Sequence, residues 1–169
     1  MKLKVSILYS WFVKTITYFL PNHPVFMRFR GFLYSIMMKK CGRDFQVAST
    51  VTINSLAGLE VGNNVYIAHN NVIIGTEIKI RNEVIIGPNC IISSGNHTFK
   101  DNSFRYGKSM TKGVVIEDGC WIAGNCSVLG GAVLPRQSIL AAGAVLNKKM
   151  TEEKSIYGGV PAKKIGEVK

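Results

Sequence analysis

A chain of 169 residues has the size of one domain and is long enough to bury a sizeable core. Its net charge of +11 is uneven: residues 1–43 carry eight Lys or Arg and no acid, whereas residues 44–169 carry thirteen against ten. No DNA- or RNA-binding motif accompanies the basic leader, so the charge argues for an anionic surface over a nucleic-acid reader.

The first forty residues read as two helices divided at Pro21-Asn22-His23-Pro24. Val5, Leu8, Phe12, Ile16 and Phe19 lie near helical spacing in the first; Phe29, Phe32, Ile36 and the flanking Met37-Met38 continue on the second. Lys14, Arg28 and Arg30 interrupt the apolar runs well short of the roughly 20 residues of a membrane span. No small-residue cleavage site follows, which argues against a signal peptide. Residues 1–44 are therefore a basic, aromatic-rich leader with two compatible roles. It caps the open end of the following domain, or it lies on the inner leaflet of a membrane.

Residues 45–169 count themselves out in sixes. Ile116, Ile122, Val128, Leu134, Leu140 and Leu146 keep a strict six-residue spacing, with Cys120, Cys126, Ala132, Ser138 and Ala144 four positions after the first five. Neither a helical nor a strand period yields this pattern, whereas a short strand plus a corner does, three times per turn of a parallel β-helix. The rhythm is ragged at Val47 and Ile53. It is expected at Val61 and Ile67, then, after a one-residue slip, at Ile74, Ile80, Ile86 and Ile92. Cys90, Cys120 and Cys126 occupy the small fifth place, which makes them inward-packing thiols of a reducing compartment.

Between Ile92 and Ile116 the count breaks. The loop at 93–115 opens with Ser93-Ser94-Gly95-Asn96-His97-Thr98-Phe99-Lys100-Asp101 and runs on to Gly113, and long loops on regular scaffolds commonly carry function. An imidazole at His97 could take a proton from a hydroxyl near neutral pH, with Asp101 or a backbone carbonyl to orient it. A solvated loop histidine with one local hydrogen bond is the plainer alternative. From residue 147 a charged connector leads to a tail with Tyr157-Gly158-Gly159-Val160-Pro161-Ala162-Lys163-Lys164.

Five landmarks in order carry a resemblance: the hexads; the loop with Ser-Gly-Asn-His; Gly119-Cys120-Trp121-Ile122-Ala123-Gly124; Ala141-Ala142-Gly143-Ala144-Val145; and Gly159-Val160-Pro161-Ala162-Lys163. Over roughly residues 60–166 the chain resembles the trimeric hexapeptide-repeat O-acetyltransferases that include the galactoside, maltose, nodulation and polysaccharide acetyltransferases. The resemblance implies a left-handed prism, a homotrimer, and His97 as general base. It implies acetyl-CoA in a groove between subunits as co-substrate, with no metal required. The pantetheine amides would meet backbone at Gly124 and Ala142, Trp121 would wall the groove, and Lys148, Lys163 and the adjacent Lys164 would meet the phosphates. A cluster of lysines also suits CoA on charge alone.

This chain departs from the sugar enzymes where they contact the acceptor. It reads Ile67-Ala68-His69-Asn70-Asn71, with His69 in the asparagine's place and Asn70 and Asn71 beside it as candidate acceptor residues. Glu152-Glu153 stands where a proline pair is usual. The basic leader resembles that of enzymes acting on surface polysaccharides or lipid-linked glycans, which places the protein in the cytoplasm with peripheral membrane contact through residues 1–43. Three other readings are weighed. A zinc-dependent anhydrase on this scaffold would need three histidine ligands, and of the chain's three, His23, His69 and His97, the first lies in the leader. The others are a non-catalytic scaffold subunit and an acetyltransferase for an amine or amino-acid acceptor.

Overall fold

The computed structural model describes residues 2–169. Helices α1 (Lys2–Thr17) and α2 (Pro24–Ser35) lead the chain. Pro24 opens α2 where a helix has no use for an N–H, and the His23 ring accepts from the Val25 amide to cap it. No helix among the described residues is long and apolar enough to cross a membrane.

A parallel β-helix follows, as the hexads predict, with the left hand that the resemblance implies. Coil one holds β1 (Lys40–Cys41), β2 (Phe45–Val47) and β3 (Thr52–Ile53). Coil two holds β4 (Leu59–Val61), β5 (Val65–Ile67) and β6 (Val72–Ile74), and coil three β7 (Ile78–Ile80), β8 (Ile85–Ile86) and β9 (Ile91–Ser93). A hairpin, β10 (Gly95–His97) and β11 (Ser109–Thr111), then leaves the prism. Coil four resumes with β12 (Val114–Ile116), β13 (Trp121–Ile122) and β14 (Ser127–Leu129), and coil five with β15 (Val133–Leu134), β16 (Ile139–Leu140) and β17 (Val145–Leu146). A sixth layer begins with β18 (Ser155–Gly158), against which β19 (Lys163–Glu167) folds back antiparallel. The prism already starts at Lys40, inside the segment that the sequence assigns to the leader.

The strands stack into three faces. Face A is β1-β4-β7-β12-β15, face B runs from β2 through β5, β8, β13 and β16 to β18, and face C is β3-β6-β9-β14-β17. Six layers in face B, about 4.8 Å apart, make the prism about 24 Å tall.

The aliphatic of each hexad points inward: Ile116, Ile122, Val128, Leu134, Leu140 and Leu146 are fully buried. Cys90, Cys120 and Cys126 line the inner corners as free thiols, as their small fifth place predicts. Burial pushes the Cys120 thiol up to about 11. The residue before each of these cysteines takes positive φ to turn the corner: Asn89, Gly119 and Asn125.

One register expectation is corrected. Ile73 is the buried residue and Ile74 points outward, 38% exposed, so the slip falls between Ile73 and Ile80. The corner there is one residue longer and holds two left-handed positions, Gly75 at φ +106 and Glu77 at φ +58. The longer corner absorbs the extra residue, so Ile78 and Ile80 still point inward in register with Leu59 and Val61.

The leader covers the free end of coil one, with α2 against β2 and α1 against β3. The alternation that lets Ala48, Thr52 and Asn54 amides bond coil two leaves the Val47 and Ile53 carbonyls pointing off the end. Those edge acceptors want donors, so the helices bury their polar stripe: Ser6, Ser10 and Thr17 around Val13 on α1, and Arg30 beside Met27, Gly31 and Tyr34 on α2. Ser10 donates to Ile53 and Arg30 to Val47. The apolar stripe of Leu8, Phe12, Ile16 and Phe19 is consequently exposed.

Candidate active site

His97 ends β10 on an arm that projects from the prism between faces C and A. The arm is a hairpin because Asp101 and Asn102 both take positive φ, 51 and 55, between the bridged pair Lys100 and Ser103. Its base is anchored by Ser94, fully buried, whose hydroxyl donates to the Thr76 carbonyl. Phe99 and Phe104 stack at 5.1 Å along the arm, and with Tyr106 and Met110 they remain exposed.

The His97 ring has no hydrogen-bond partner among the described residues, and its strand neighbour is Ser109. Asp101 sits in the tip turn, where its contact is Lys100 at 4.0 Å. The two residues are thus not brought together as base and orienting acid within one chain.

Gly124 and Ala142 do come together. They occupy the corner between faces B and C on successive coils, and the Gly143 amide donates to the Gly124 carbonyl at 3.0 Å. Pro88 lies below on the same corner, in contact range of Gly124. The three stacked residues carry little side chain and lie at the surface, so the backbone of this corner is open to an extended ligand. Trp121 is on face B of the same coil as Gly124, its indole 48% exposed and in register between Ile85 and Ile139.

Of the three lysines, Lys148 and Lys163 are exposed, whereas Lys164 is engaged by Glu152 at 2.9 Å and Glu167 at 3.1 Å. The hydrogen bonds that the ammonium donates to those two carboxylates hold the Lys164 pKa above its ordinary value. Glu152 thereby uses the ammonium that the tail pattern offered to phosphate.

His69 and Asn70 are exposed at a corner of coil two. Asn70 takes φ +58, and its amide donates to the Thr50 hydroxyl. Asn71 corrects the expectation of an acceptor contact: it is fully buried, donating to Ala68 and Gly87 carbonyls and accepting from the Cys90 amide. Its side chain closes an internal corner and is unavailable to a ligand.

The sequence reading misses Asn22. From the turn between the helices, its Nδ2 lies 3.4 Å from His69 Nδ1 and its Oδ1 accepts from the Ser49 amide at 2.7 Å. The Pro21 to Pro24 turn was visible in sequence, but its reach to coil two depends on how the leader packs. Among the described residues no three His, Cys, Asp or Glu gather into a metal-binding group.

No protein-family model matches the chain. A Saccharomyces cerevisiae protein named as an acetyltransferase is 27% identical over 133 residues, 78% of this chain and 67% of that protein. The galactoside O-acetyltransferase of Escherichia coli K12 is 24% identical over 157 residues, 92% of this chain and 77% of the enzyme. The chain is thus similar to the hexapeptide-repeat O-acetyltransferases. A solved structure from that family, a Vibrio cholerae hexapeptide-repeat acetyltransferase complexed with acetyl coenzyme A, matches with a TM-score of 0.85 at 22% identity. The match covers 98% of this chain and 88% of that one, so the family fold here includes both leading helices.

Proposed function

We propose that this protein is an acetyl-CoA-dependent O-acetyltransferase working as a homotrimer, with a sugar hydroxyl of a surface polysaccharide or lipid-linked glycan precursor as acceptor. The observation that carries the reading is the placement of the candidate groups: His97 on an arm leaving the C–A edge, and Trp121, Gly124 and Ala142 along face B and the B–C corner. One prism alone holds them on different sides. A neighbouring prism supplies the missing half, so that the arm of one subunit meets the track of the next.

The outer faces support that assembly. Face B stacks Tyr66, Ile85, Trp121, Ile139 and Ile156 in register, and face C exposes Ile74 and Ile91. Face A begins instead with the column Lys40, Glu60 and Lys79. An apolar column on face B, exposed isoleucines on face C and charge over the first three coils of face A suit packing through B and C. The exposed aromatics of the arm would be covered in the same contact.

In the reaction His97 accepts the proton of the acceptor hydroxyl as its oxygen attacks the thioester carbonyl; the carbon–sulfur bond then breaks and the sulfur takes that proton from His97, so that CoA leaves as the thiol. Backbone amides of the groove stabilise the oxyanion. Lys148 and Lys163 meet phosphates of the coenzyme, and His69 and Asn70 face the acceptor. The co-substrate and the free buried thiols suit the cytoplasm.

The test is transfer of acetyl from acetyl-CoA to a panel of glycans, followed by thiol release, alongside calorimetry with acetyl-CoA. Turnover with a glycan supports the reading. Binding without turnover on any glycan but with turnover on an amine overturns the acceptor, and absence of binding favours a scaffold subunit.

A further inference from the structure

The leading helices expose more apolar surface than a cap needs. On α1, Leu8, Trp11, Phe12 and Ile16 are exposed. On α2 and its C-cap, Val25, Phe29, Phe32 and Ile36 form a second exposed stripe at helical spacing, and between the helices Phe19 is 90% exposed. Both helices turn their buried face to coil one, so both apolar stripes look away from the prism.

Charge selects what can cover them. Residues 1–43 hold eight Lys or Arg and no acid. Arg28 and Lys39 are paired with Asp44 and Glu60, whereas Lys2 and Lys4 flank the α1 stripe with no ion-pair partner among the described residues. A second copy docked on this face would set cations against cations. Anionic headgroups complement them, and Trp11, Tyr18 and Phe19 are side chains that settle at the headgroup boundary.

We propose that α1 and α2 dock flat on an anionic phospholipid bilayer, with the prism standing off the surface behind coil one. Docked so, His69 and Asn70 lie one coil above the membrane-side end and would meet an acceptor carried on a lipid. That consequence rests on the acetyltransferase reading; the docking does not.

The full chain is sedimented with phosphatidylglycerol–phosphatidylcholine vesicles and with phosphatidylcholine alone, without acetyl-CoA. Binding to the anionic vesicles, weakened by salt, is expected, with a blue shift of Trp11 emission in a Trp121→Phe background. The double variant Trp11→Ser/Phe12→Ser, at exposed positions where the fold does not depend on them, should bind at least about tenfold more weakly. Light scattering accompanies each variant. No binding to anionic vesicles, an unaffected double variant, or a double variant with a smaller particle mass, which would make the face a subunit contact, overturns the proposal.

Discussion

Arg30 Nη1 donates to the Val47 carbonyl at 2.5 Å, tying the second helix to the outermost strand of the β-helix. The same guanidinium reaches the Thr17 and Leu20 carbonyls at 3.0 and 3.2 Å, at the C-terminal end of α1. Arg30 is 0% exposed with no carboxylate beside it, and burial pulls its pKa below the ordinary value. Its charge is met by the oxygens of a helix end and a sheet edge. Arg30→Ala should therefore destabilise by about 3 kcal/mol, since several buried acceptors lose their donor at once. Arg30→Lys should recover only a part, lacking the planar fork. Urea denaturation of both variants checks this.

Gly31 sits in α2 where a methyl group would overlap the Phe45 backbone. Glycine to alanine within a helix ordinarily gains about 1 kcal/mol. Here Gly31→Ala should instead cost about 2 kcal/mol, because the rigid strand cannot yield and the helix must lift from coil one. A lowered melting temperature with unchanged prism spectra is the expected result.

His97→Ala should lower kcat by about 10² to 10⁴ if the imidazole takes the acceptor proton. Because the ring is exposed on the arm, the variant should keep its stability and its assembly state. Near-normal turnover in an intact assembly would remove His97 from the mechanism. Asp101→Asn, at the tip of the arm, tests whether a carboxylate from a neighbouring subunit serves it.

Lys148→Ala and Lys163→Ala should each raise KM for acetyl-CoA about three- to tenfold with little change in kcat. Lys164→Ala should leave KM nearly unchanged, since Glu152 and Glu167 already engage that ammonium. Initial rates at varied acetyl-CoA separate the three.

Acid should loosen the leader through Asp44. A hydrogen bond from Arg28 at 2.6 Å, and a weaker one from Gln46, hold its carboxyl below the ordinary range against the opposing effect of partial burial. The folded pKa lies below the unfolded value of about 3.9, so the stabilisation is complete above that pH and is lost as pH falls through the folded pKa. Asp44→Asn should flatten this part of the stability profile. The effect is small, because the pair is open to solvent.

Much of the prism was legible in the residues. The six-residue count from Ile116 to Leu146 determines which side chains point inward, because each strand contributes one aliphatic and each corner one small residue. It also accounts for Cys90, Cys120 and Cys126, and the break before it marks the arm that carries His97. The slip at Ile74 was misplaced by one residue: two adjacent isoleucines satisfy the count equally, and only the backbone at Gly75 and Glu77 decides which turns inward.

Tertiary structure decided what the leader does with its two sides. The sequence leaves the leader as a cap or a membrane-surface segment; the free edge of coil one offers carbonyls, and Ser10 and Arg30 answer them while Leu8 and Phe12 stay outside. Packing likewise brought Asn22 to His69, withdrew Asn71 into a corner, engaged Lys164 with two glutamates and set His97 apart from Asp101. Periodicity reports which way a side chain points from its own strand. Which polar group waits opposite it depends on residues distant in the chain.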